Sequence, residues 1–186
     1  MRQRRSLAGA RWVLVLGALP ILAGCGIGAG ASPASFAAPS VGPSAAVGGA
    51  TAQTRGAIAA VLASVPSGVQ FGDATRPYRP PESGRLRDAA RAVFQVVLPD
   101  EPDGGYVVVY EFADSTAAVD AGNEEAGYLG TGPARVNFPR DAQHVLRQLG
   151  PTLILFTWSP SDPDATAEGQ IAAALGGLGV GFSVPN

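Results

Sequence analysis

The chain is nearly devoid of cysteine and histidine and has no lysine at all. Its 186 residues include one cysteine, Cys25, one histidine, His144, and thirteen basic side chains that are all arginine. A single thiol excludes an intramolecular disulfide framework, and no Cys/His spacing resembles a zinc site. The missing lysine fits a coding bias better than a chemical demand for arginine, which would gather the arginines into one cluster. Also lacking is a long apolar run. The best stretch, WVLVLGALPIL, holds about eleven residues and contains Pro20, whereas a membrane-spanning helix needs roughly twenty.

Positive charge is scarce beyond the first eleven residues, which hold Arg2, Arg4, Arg5 and Arg11. The remaining nine arginines face fifteen acids, a balance near −6. An acidic domain is poorly suited to a polyphosphate, so nucleic acid is not an expected partner.

What is present at the N-terminus is an ordered series: the basic MRQRRSLAGAR, the apolar WVLVLGALPIL, then the small residues of AGC. This is the layout of a secretory signal. The segment Leu22-Ala23-Gly24-Cys25 resembles the lipobox of bacterial lipoproteins, over about 25 residues. The resemblance implies cleavage between Gly24 and Cys25, diacylglycerol on the Cys25 sulfur and often acylation of the new amino terminus. An ordinary signal peptide with an incidental cysteine is the competing reading. Two or three acyl chains anchor a protein stably where one does not. The chain is therefore expected at the cell membrane, lipid-anchored and facing outside the cytoplasm, with no cofactor besides that lipid. Acylation would also leave no free thiol to oxidise there.

From Gly26 to Thr54 no residue is charged, and most are Gly, Ala, Ser or Pro. Such a stretch cannot bury enough apolar surface to fold and reads as a flexible linker with a reach of roughly 30 Å. The expected organisation is thus a signal peptide at 1–24, a lipidated linker at 25–54 and a single domain at 55–186.

Within that domain, Ile58, Val61, Leu62 and Val65 share one helical face, and Pro66 ends the helix. The Pro-rich RPYRPP reads as an extended strap or a docking arm. AVFQVVL and YVVVYEF read as a hairpin of two strands, the second with Val108 and Tyr110 on one face and Val107 and Val109 on the other. Asp114 or Ser115 caps a helix to about Tyr128. ARVNF reads as a short strand, and QHVLRQL and TLILFTW form a hairpin around Gly150-Pro151. Asp162 suits an N-cap for a last helix, with Pro163 at its first position, and VGFSVP suits an edge strand. Hairpins mixed with helices predict an α+β fold, an antiparallel sheet with the helices packed on one face. The core βαββαβ order fits a ferredoxin-like sandwich. The run from VVVYEF to LILFTWSP is also similar to a type of uncharacterised bacterial lipoprotein domain, which implies a comparable domain and carries no activity.

Chemistry is thin on the ground. His144 is the only imidazole available to a Ser–His–Asp site, and no G-x-S-x-G elbow accompanies it. Asp100, Glu101 and Asp103 cluster in a turn, yet their spacing does not match an EF-hand loop. The glycines of Gly127–Pro133 follow a helix instead of opening one, so the helix dipole opposes phosphate binding there. Arg135, Arg140 and Arg147 lie close in sequence and are anion-binding candidates, unless they pair with Glu124, Glu125 and Asp141. The expectation is a non-enzymatic domain that binds a ligand or protein partner outside the membrane. The alternatives are an accessory subunit of an envelope assembly and a tethered hydrolase.

Overall fold

The structure, a computed structural model, describes residues 48–66 and 68–185. The signal segment, the cleavage site at Gly24 and Cys25, and the linker as far as residue 47 lie outside them. In chain order the elements are α1 (Gly49–Leu62), β1 (Gln70–Asp73), α2 (Gly84–Asp88), β2 (Ala90–Val97), β3 (Gly105–Glu111) and α3 (Ser115–Leu129). There follow α4 (Gly132–Arg135), β4 (Gln143–Leu149), β5 (Thr152–Trp158), α5 (Ala165–Gly176) and β6 (Val180–Gly181). Among the described residues no helix is long and apolar enough to cross a membrane.

The six strands form one antiparallel sheet in the order β1-β2-β3-β5-β4-β6, so the fold is α+β. Both hairpins form where the strand patterns place them. β4 and β5 turn at Gly150, whose φ of +58° is a conformation that favours glycine. Asp114 caps α3, accepting a hydrogen bond from the Ala117 amide at 2.8 Å.

The helices do not share one face. Ile58 and Leu62 of α1 and Ile171 and Leu175 of α5 pack with Val107, Val109, Ile154 and Phe156. Leu86 of α2, Ala118, Ala121 and Leu129 of α3, and Ala134 of α4 pack with Val108, Tyr110, Leu153 and Leu155 on the other side. The sheet is thus sandwiched, and its central strands are apolar on both faces. Burial on both faces is what the unbroken runs VVVY and LILF encode, since a strand with one wet face alternates apolar and polar residues.

The ferredoxin-like order fails for the same reason. There the last strand returns to the outer side of β3, but β2 already occupies that side. β6 goes instead to the far edge, beside β4. The crossovers β3–α3–β4 and β5–α5–β6 therefore shift in the same direction across the sheet, while β3 and β5 run oppositely. Crossovers of one hand, the near-universal rule for such connections, must then lie on opposite faces.

Four local expectations also need correction. α1 begins at Gly49, so the folded part starts before residue 55. The linker composition of 48–54 is overridden by tertiary contacts: Thr51 and Thr54 are buried, and the Thr54 and Thr152 hydroxyls lie 2.7 Å apart. ARVNF is not a strand, because Pro133 sits in the first turn of α4, which runs on to Arg135, and Ala134 is buried against α3. The N-cap position of α5 is Asp164, not Asp162. The Asp164 carboxylate turns away from its own helix to accept from the Asp100 amide (3.1 and 3.0 Å) and the Glu101 amide (2.7 Å). Finally, β1 and α2, on either side of the RPYRPP segment, are not among the elements expected from the sequence.

The Pro-rich segment is a strap over its own domain. Tyr78 stacks on Tyr106 with ring centres 4.2 Å apart. The buried Glu82 carboxylate accepts from Arg79 (2.7 Å), Arg91 (2.9 Å) and the Tyr110 hydroxyl (2.8 Å), so its charge is paired and its lone pairs are used.

Candidate functional site

A cleft of about 660 Å³ opens at the start of β4, on the α3–α4 side of the sheet. Its making begins with α3. Gly122, inside that helix, leaves room for the Phe182 ring, and a side chain at Gly130 would meet Pro185 at 2.8 Å. These two seats draw residues 182–185 off the edge of β4 and onto α3. The gap left behind is floored by His144, bordered by Gln143 and walled by Val184, Pro185 and Phe138. Arg135, at the end of α4, and Arg140, in the loop before β4, stand on its rim.

Both arginines are exposed, and neither makes an ion pair with a described residue. Their expected partners are engaged elsewhere. Glu124 binds Arg85 at 2.9 Å, and Glu125 is fully buried and accepts from the Ser83 amide at 2.8 Å. Asp141 also lines the cleft, but its carboxylate accepts from the Ser159 hydroxyl at 2.9 Å and from the Ser161 hydroxyl. Those bonds hold its pKa below the ordinary carboxylate value, so it stays ionised and occupied.

Arg147 does not join them. It is an odd-numbered residue of β4 and so faces the opposite side of the sheet from His144. There its guanidinium donates to the Leu178 carbonyl (2.6 Å) and the Gly179 carbonyl (2.9 Å), fastening the turn between α5 and β6. The triple-arginine patch reduces to a pair.

His144 is half-buried. Its Nδ1 lies 2.9 Å from the Thr157 hydroxyl on the neighbouring strand, and its ring packs edge-on against Phe138. Burial pushes its pKa below the usual imidazole value, so at pH 7 the ring is neutral. Among the described residues no carboxylate bonds to the ring to orient it as a general base. The acidic turn of Asp100, Glu101 and Asp103 is a tied hairpin loop: its amides serve Asp164, and Asp103 pairs with Arg76 at 2.7 Å. Among the described residues no group of three or more His, Cys, Asp or Glu side chains is placed to hold a metal. Gly127–Pro133 is the end of α3 and the start of α4, as its position after a helix predicts.

No protein-family model, no curated protein and no solved structure matches the chain. The sequence reading found Arg135, Arg140 and His144 but not the cleft they share. Phe138, Gln143, Val184 and Pro185 were missed. The one available signal was Gly122, a glycine inside a helical pattern, which calls for a packing partner.

Proposed function

We propose that the protein is a lipid-anchored, extracytoplasmic binding domain without catalytic chemistry, and that it takes an anionic ligand in the cleft at the start of β4. Lipid on Cys25 holds it at the membrane, and the uncharged linker lets the domain stand clear of the bilayer. The observation that carries the reading is the pair Arg135 and Arg140, two guanidinium groups without ion-pair partners among the described residues, at the rim of a half-apolar cleft. Guanidinium groups match carboxylates and phosphates in shape and charge, and an apolar cleft with a few polar groups is the ordinary form of a ligand site. In a molecule that is acidic overall, these arginines are a local exception, which favours a compact anion over a polyanion.

The test is isothermal titration of the full-length protein in detergent with citrate, inorganic phosphate and short acidic peptides. Wild-type protein binds at least one of these. The Arg135→Gln/Arg140→Gln double variant binds it at least tenfold more weakly, about 1.4 kcal/mol. Equal binding by both proteins, or none by either, overturns the reading.

A further inference from the structure

We infer that the ligand of this cleft is the C-terminal end of an extended peptide, which adds as a short strand to the open edge of β4 and sets its α-carboxylate on Arg135 and Arg140. The inference rests on the anion-binding reading above and specifies the ligand.

The edge itself is the first argument. β6 pairs with β4 only at Arg147 and Gln148, and the Phe182 amide adds one bond to the Leu146 carbonyl at 3.0 Å. On its other side β4 is paired with β5 all the way back to Gln143. Because the Leu146 carbonyl faces outward, strand alternation makes the amide and carbonyl of His144 face outward too. No described residue bonds to them on that side. An unpaired donor and acceptor on a strand edge is a template for a further strand, and main-chain pairing of this kind is a recurrent mode of peptide capture.

The second argument is length. The departure of residues 182–185 towards α3 leaves open only Gln143 to Val145, enough for one outward-facing residue to pair. A strand running through would find little more to bond, whereas a chain end needs no more. The third is charge. A chain end brings a carboxylate, and the two arginines without an ion-pair partner among the described residues stand at this same cleft. The protein's own linker is an ill-suited occupant, since Gly26 to Val47 contains no acid. Protein termini outside the membrane are therefore the class of partner that fits.

The experiment uses full-length protein in detergent and four probes: a random acetylated pentapeptide library ending in a free carboxylate, the same library ending in an amide, acetate, and inorganic phosphate. Enriched free-acid peptides are expected to bind at least tenfold tighter than their amides, and the Arg135→Gln/Arg140→Gln variant to lose that margin. Hydrogen exchange at the His144 amide is expected to slow on binding. Peptides that bind equally as acid and amide, or that leave the His144 amide exchanging as before, overturn the inference. Acetate or phosphate binding as tightly as any peptide overturns it too, while leaving an anion site in place. No binding by any probe removes both readings.

Discussion

The carboxylate of Glu111 stands where the capping side chain of α1 would stand. It accepts from the Gly48 amide at 2.9 Å and the Thr51 amide at 3.1 Å, and from the Thr51 hydroxyl as well. The helix has no cap of its own, because Gly48 precedes it. A residue at the end of β3 thus closes the free amides of a helix some sixty positions earlier. This is where the described domain takes over from the linker composition.

Glu111→Ala is expected to destabilise the domain by about 1 kcal/mol, the usual worth of a lost helix cap, and to speed amide exchange at 49–54 above all. Hydrogen bonds hold the Glu111 pKa below its ordinary value, so this contribution is present at neutral pH and disappears as pH falls through that lowered value. Urea unfolding at pH 7 and pH 3 measures both. A variant as stable as wild type at pH 7 contradicts the assignment.

Glu168 works in the other direction. It is buried on α5, and burial, with Asp162, Asp164 and Glu101 nearby, pushes its carboxyl up to about 7 from 4.5. The folded state therefore holds this proton more tightly than the unfolded chain. Its contribution is fully present below pH 4.5 and is lost as pH rises through about 7. Glu168→Gln is expected to stabilise the domain at pH 8 by about 1–3 kcal/mol. Relative to wild type, the gain grows between pH 5 and 7.5. Parallel stability curves for the two proteins across that window refute it.

The anchor has a covalent test. Cys25→Ala is expected to accumulate unprocessed precursor and to leave an N-terminal peptide without lipid mass. The wild-type peptide should begin at residue 25 and carry diacylglycerol. Mass spectrometry of membrane extracts reads both. A soluble wild-type protein beginning elsewhere and unmodified ends the lipoprotein reading.

Strands β2 to β5 and the α+β class were legible in the sequence because each is a local pattern, whereas β1 was not expected and the ARVNF strand does not form. The two faces of β3 were assigned residue by residue from alternation, and the start of α3 was narrowed to Asp114 or Ser115 from their place before an alanine-rich run, Asp114 being the cap. The position of β6 was not legible, since nothing local distinguishes a strand beside β4 from one beside β3. That one choice moved α5 to the other face and with it half the core. The site failed for a similar reason. Arg135, Arg140 and Arg147 are neighbours in sequence, but strand parity sends Arg147 through the sheet, and the cleft wall comes from residues 182–185, some forty positions away. The α1 start was hidden because Thr51 and Thr54 look like linker residues until Glu111 and Thr152 meet them.

The most direct test of the account asks where an anion sits. Two-dimensional ¹⁵N–¹H spectra of the protein, recorded while the tightest-binding anion of the titration is added, locate it by residue. Shifts confined to the cleft residues Arg135, Phe138, Arg140, Gln143, His144 and Val184 are expected, and none in the Arg135→Gln/Arg140→Gln variant. Shifts centred elsewhere, or unchanged in that variant, contradict it.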